Sequence, residues 1–265
     1  MLTVISPAKR LDFESKMAAF ITPDFVKQPR LLPDIKKLAQ ETKKLKVHEI
    51  KDLMGLSDNL AALNFNRFQD FKTPFTLLNA RPALQAFQGD VYLGLDAKTL
   101  NKEGLVFAQD HLRILSGFYG VLRPLDLIQA YRLEMGVKFK NPRGGNLYTW
   151  WGAKLSKVIN KDLKVQNSEI LINLASNEYW KAVDQKTLKA RVITPQFKEE
   201  KNGVFKTLSF FAKKARGLMF RYMIDYKIDD PESLKNFSSE GYSYHPGLSE
   251  GDKWTFIRPQ PAPKT

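Results

Sequence analysis

The sequence predicts an α+β (mixed α/β) protein folded as a single compact domain. Three observations carry that expectation. Short β-prone runs alternate with stretches of helical periodicity. An Asn-Gly pair at 202–203 separates two strand-like runs, the strongest short hairpin signal. Apolar residues make up 43% of 265 residues, enough for a sizeable core, and neither an internal repeat nor a long linker divides the chain.

The elements follow in order. Leu2-Thr3-Val4-Ile5 is a compact strand closed by Ser6-Pro7. Ala8-Lys9-Arg10 then places two cations at a strand end, a common location for ligand groups. Ser6-x-x-Lys9 also matches the serine–lysine nucleophile spacing, but the companion motifs of that chemistry are missing. Residues 33–64 read as two or three short helices, with Gly55 as punctuation. Ser57 is an N-cap for a helix ending near Phe71. Val91–Leu95 reads as a strand and Lys102–Leu115 as an amphipathic helix. Strands are expected at 169–174, 190–197 and 203–209, the last two joined through Lys201-Asn202-Gly203. The domain should span 1–258, and the Pro-rich tail 259–265 should be disordered.

The segment 105–135 has the pattern of a helix–hairpin–helix. A helix ends at Leu115, Gly117-Phe118-Tyr119-Gly120 forms the hairpin, and a second helix starts at Arg123 with Pro124 in its first turn. Glycines of this kind let main-chain N–H groups approach a phosphate. In the 208–227 helix, Phe211, Ala215, Leu218, Met219, Tyr222 and Tyr226 fall on one arc. Lys213, Lys214, Arg216 and Arg221 fall on the other, with Gly217 among them.

Charge narrows the partners. Lys and Arg number 42 against 28 Asp and Glu, a formal net charge of +14. Between Tyr131 and Lys164 there are eight basic residues against two acidic ones, and between Lys198 and Lys227 eight against three. Such a field favours a polyanion. The chain has no cysteine, which excludes disulfides, thiolate metal sites and a cysteine nucleophile, and fits a cytoplasmic location. His48, His111 and His245 lack ligand spacing, so no metal site is expected, and with neither a Walker loop nor a Rossmann glycine pattern no cofactor is expected. No run approaches the length of a membrane span, and the opening apolar run is too short for a signal peptide. Anionic-membrane association through the 208–227 helix is a weaker reading, because its apolar stripe is needed for the core.

These segments, together with Tyr131-Arg132-Leu133-Glu134-Met135-Gly136, Asn173-Leu174-Ala175-Ser176, Phe197–Lys201 and Ala212–Gly217, resemble the bacterial peroxide stress resistance protein YaaA family. The resemblance runs in order from residue 3 to about 257, and Leu115–Asp126 is its most specific block. The family pattern usually has proline before the Tyr131 position, where this chain has Ala130. The resemblance implies a cytoplasmic protein with a helix–hairpin–helix and a positively charged cleft. It implies binding to duplex or branched DNA with little sequence preference, and a role in limiting oxidative DNA damage, associated with lowered free iron. A monomer is expected.

Two functional readings follow. In the first, a non-catalytic protein binds DNA through Lys9, Arg10, Gly117, Phe118, Tyr119, Gly120, Arg123, Arg132, Lys181, Lys213, Lys214, Arg216 and Arg221. In the second, an enzyme acts on a nucleobase or nucleotide, glycosylase-like or base-modifying, through Ser6, Lys9, Asp126, Glu134, Glu178 and Lys181. Carboxylates motivate the second reading, because phosphate binding alone has no use for them.

Overall fold

A computed structural model describes residues 1–262. Its centre is an eight-stranded sheet. Across the sheet the strands run Ser243–Tyr244, Lys253–Pro259, Arg191–Lys201, Ile170–Leu174, Leu2–Ile5, Leu112–Ser116 and Gly120–Leu122, and Val204–Lys206 pairs with Arg191–Lys201 off this path. The four pairings from Lys253–Pro259 through to Leu112–Ser116 are all parallel. Within this sheet the antiparallel pairings are confined to the two hairpins and the Ser243–Tyr244 edge. Every residue of Leu2–Ile5 and of Leu112–Ser116 is buried, as strands covered on both faces of a parallel sheet must be. One apolar core runs through the whole assembly. This is a mixed α/β single domain with a sheet rich in parallel pairings.

Most of the local expectations hold. Helices Leu32–Thr42, Val47–Met54 and Asp58–Gln69 occupy the N-terminal third. Gly55 ends the second in a left-handed conformation, and the Ser57 side chain accepts the Leu60 N–H. Asn202 and Gly203, at φ of 54° and 75°, turn the expected hairpin.

Three expectations are corrected. The helix at Lys102 stops at His111, and Leu112–Ser116 is a strand. That strand pairs antiparallel with Gly120–Leu122, and residues 123–135 form no helix. The 105–135 segment is therefore helix, β-hairpin and extended chain, and the helix–hairpin–helix is absent there. A strand buried on both faces has no polar alternation, so Leu112–Leu115 continues the helical apolar pattern without a visible break.

Secondly, Val91–Leu95 belongs to a short helix, Asp90–Leu95. It crosses the long Ser209–Asp225 helix at two glycines. A Cβ on Gly94 would lie 2.1 Å from the Lys214 carbonyl oxygen, and one on Gly217 would lie 1.8 Å from that of Val91. Gly217 admits a neighbouring backbone, not a phosphate.

Thirdly, the core face of Ser209–Asp225 is Ala212, Ala215, Gly217, Met219, Phe220, Met223 and Ile224. This face is turned by about 100° from the expected arc. Tyr226 is left exposed, and Arg216 falls among the buried positions. The strand Lys253–Pro259 ends at the start of the expected tail, and the Gln260 N–H donates to the Glu200 carbonyl. The remainder of the expected disordered tail, 263–265, lies outside the described residues. Among the described residues no helix is long and apolar enough to cross a membrane.

Candidate functional site

The chain leaves Leu2–Ile5 toward Leu112–Ser116 on one side, and leaves Ile170–Leu174 toward Arg191–Lys201 on the other. Adjacent parallel strands whose connections diverge open a crevice beyond their carboxyl ends. A cleft of about 420 Å³ lies there. Its floor is set by the two strand ends. Ser6 Oγ accepts the Ser176 N–H at 2.8 Å and donates to Ser176 Oγ at 3.2 Å. Ser176 stands before the Asn177–Trp180 turn of helix, but its hydroxyl is used here and not as a cap.

Five segments bring side chains to this cleft: Ser6–Arg10, Gln88–Tyr92, Tyr131–Glu134, Ser176 with Glu178 and Tyr179, and Lys213 with Arg216. The Arg10–Leu11 strand pairs with Phe87–Gln88, and a Cβ on Gly89 would lie 3.1 Å from that of Ala8, so these two walls are held close. Tyr92, Tyr131 and Tyr179 are nearly covered and supply an aromatic wall. Tyr92 donates its hydroxyl to the Ser6 carbonyl, and Tyr131 shares a hydrogen bond of 2.7 Å with Ser116. Burial pushes all three phenols above their ordinary range, which keeps them neutral.

Five cations and three carboxylates line the cleft: Lys9, Arg10, Arg132, Lys213 and Arg216 against Asp90, Glu134 and Glu178. Lys9 Nζ lies 3.2 Å from Glu134 Oε1, and Arg132 donates to the same oxygen at 3.1 Å. Glu134 Oε2 is buried without a hydrogen-bond partner. Glu178 Oε1 accepts the Gly136 N–H at 2.9 Å. Lys213 is half exposed and 3.7 Å from Asp90. Arg216 makes no hydrogen bond or ion pair with any described residue. Burial lowers its pKa, and no carboxylate opposes that shift.

The cleft thus gathers Ser6, Lys9, Arg10, Arg132, Glu134, Glu178, Lys213 and Arg216 from the sequence-derived set. The other members lie elsewhere. Phe118 and Tyr119 are 1% and 0% exposed, so neither can stack on a base. Phe118 stacks instead on Phe68, and the Tyr119 hydroxyl donates to the Gln129 carbonyl. Gly117 abuts the Leu133 carbonyl, where a Cβ would come within 2.3 Å. Gly120, at φ of 74°, closes the hairpin. Arg123 is committed to Asp126 at 2.7 Å. Asp126 is fully buried, and burial pushes its carboxyl up despite that partner. Lys181 sits 5.3 Å over the Tyr148 ring, outside the cleft lining. Lys214 pairs with Glu240, and Arg221 with Asp225. Sequence reasoning missed Asp90 and Tyr92, because their short helix read as a strand. Tyr131 and Tyr179 stand in motifs that draw notice for their charged neighbours.

The family model described as peroxide stress protein YaaA matches residues 1–248. A UPF0246 protein of Alteromonas mediterranea is 52% identical over 260 residues, covering 98% of this chain and 99% of its own. UPF0246 proteins of Hahella chejuensis and Saccharophagus degradans are 50% and 51% identical, covering 97% and 98% of this chain and 99% and 100% of their own. On the extent of these matches, this chain belongs to the peroxide stress protein YaaA family.

Proposed function

We propose that this protein serves the peroxide stress response by binding DNA, duplex or branched and with little sequence preference, through the cleft at the strand ends. The observation that carries the reading is convergence. Lys9 and Arg10, Arg132, and Lys213 with Arg216 come from three remote parts of the sequence and line one cleft. The net charge of +14 adds a long-range attraction for any polyanion. Shielding DNA from oxidative damage is then a consequence of occupancy. Among the described residues no three metal-ligating side chains are grouped, so we place any lowering of free iron downstream of DNA binding.

The test is fluorescence anisotropy with duplex and branched DNA at two salt concentrations, comparing the native chain with Lys9→Ala/Lys213→Ala. Both lysines are at least half exposed, so the fold should survive. Binding should weaken for all sequences alike, and the log–log salt slope should flatten by about 0.9 for each phosphate that is no longer neutralised. An unchanged slope would remove the cleft from the DNA interface.

A second reading rests on the carboxylates. Ser6, Glu134 and Glu178 share the cleft with Lys9, as an enzyme acting on a nucleobase or nucleotide would need. Asp126 and Lys181 drop out of that set. Incubation with damaged or modified duplexes, scored for released base, strand breaks or a borohydride-trapped Lys9 adduct, decides it. A blank across the panel removes those substrates.

A further inference from the structure

Two groups in the cleft have complementary unmet needs. Arg216 is a half-buried donor in the cleft lining without an acceptor, and Glu134 Oε2 is a buried acceptor without a donor. Glu134 Oε2 is costly to bury unsatisfied. The same cleft is lined by Tyr92, Tyr131 and Tyr179; the Tyr92 hydroxyl donates to the Ser6 carbonyl, and the Tyr131 hydroxyl shares a hydrogen bond with Ser116 Oγ. The wall they present is apolar and aromatic. The volume, about 420 Å³, is that of a small-ligand site and too small for a duplex.

We propose that the cleft takes a single nucleotide unit, its phosphate held by Arg216 and Lys213, its base against the tyrosine rings, and a base N–H donated to Glu134 Oε2. The proposal rests on the nucleic-acid reading above and narrows it to the part that enters. Lys213, half exposed beside Arg216 on the same helix, supplies the second cation for a dianionic phosphate. A small zwitterion would satisfy the two charged groups but leave the aromatic wall uncovered. The unit could be a free nucleotide or one extruded from DNA, since the chemistry is shared.

Calorimetry on the full chain separates the parts of the proposal. The probes are adenosine monophosphate, adenosine, inorganic phosphate, and adenosine monophosphate dimethylated at N6, which has no amino proton to donate. Adenosine monophosphate should bind at least ten-fold tighter than adenosine or phosphate. Dimethylation should weaken binding about ten-fold or more, the usual effect of removing a hydrogen bond to a charged acceptor. Lys213→Ala should weaken the monophosphate and leave adenosine unchanged. Glu134→Gln should shrink the penalty for dimethylation. The probe series on the native protein stands by itself if that variant fails to fold.

Competition with labelled DNA assigns the source. Displacement of a duplex carrying an unpaired adenosine, bound tighter than a perfect duplex, supports the extruded unit. Adenosine monophosphate binding without any DNA binding supports the free nucleotide and overturns the polymer reading. Normal DNA binding that adenosine monophosphate neither joins nor displaces overturns this proposal and leaves the polymer reading standing. Equal affinity for the dimethylated probe overturns the role given to Glu134.

Discussion

Arg216 owes its position to the small residues around it on the Ser209–Asp225 helix. Ala212, Ala215 and Gly217 let that helix settle close to its neighbours, and the guanidinium is carried into the covered arc. A cation so placed, without a carboxylate, is held ready for an anion. Phe118 and Tyr119 have the opposite standing. They belong to an aromatic cluster with Phe68, Phe71, Phe75 and Tyr131, and both are fully covered. Phe118→Ala should therefore cost about 3–5 kcal/mol of stability, the ordinary result of emptying an aromatic core site. Urea unfolding should show that loss. DNA affinity measured well below the unfolding midpoint should stay within about two-fold of native. A large drop in affinity with unaltered stability would return this side chain to the DNA interface.

The crossing of Asp90–Leu95 with Ser209–Asp225 is the element-scale feature on which the cleft depends, because each partner contributes lining residues. Helix propensity alone says that Gly217→Ala stabilises by about 0.5–1 kcal/mol. The crossing says the reverse. A Cβ would meet the Val91 carbonyl at 1.8 Å, and both partners there are backbone, so the helices must part. Gly217→Ala should lose about 1–3 kcal/mol in chemical unfolding, and DNA binding should weaken with it as Lys213 and Asp90 separate. Stabilisation would disprove the close crossing. The same elements show what was legible in the sequence. Caps and turns with local chemistry, at Ser57, Gly55 and Asn202-Gly203, could be read directly. Leu112–Ser116 could not, because its strand identity depends on Thr3 and Ile5 lying beside it in the fold. Neither could the rotation of the long helix, since Ala212 and Gly217 are core residues only where another backbone comes close.

For the whole molecule, the candidate site was legible as parts and not as a place. Ser6, Lys9, Glu134, Lys213 and Arg216 stood out by type, but their meeting follows from a strand order that no local pattern states. Carboxylates also tie the layers of the fold together. Asp34, on the Leu32–Thr42 helix, receives Arg143 and Lys154. Asp162, on the Lys154–Val165 helix, receives Arg30 from the N-terminal region and Arg113 from the central sheet. Burial pushes both carboxyls up, but the hydrogen bonds and charges of these cations outweigh it and hold both below their ordinary range. A carboxyl with a lowered folded pKa binds fewer protons folded than unfolded. Its contribution is complete above the unfolded value, about pH 4, and fades as pH falls through the folded value. The native chain should lose stability steeply below about pH 4. Asp162→Asn should be less stable at pH 7, because it leaves Arg30 and Arg113 without their shared partner, yet should show a shallower acid limb. Urea midpoints at pH 7, 5, 4 and 3 for both chains test this. Parallel acid limbs would show that Asp162 is no more strongly charged in the folded protein than in the unfolded chain, and that its ion pairs do not tie these layers.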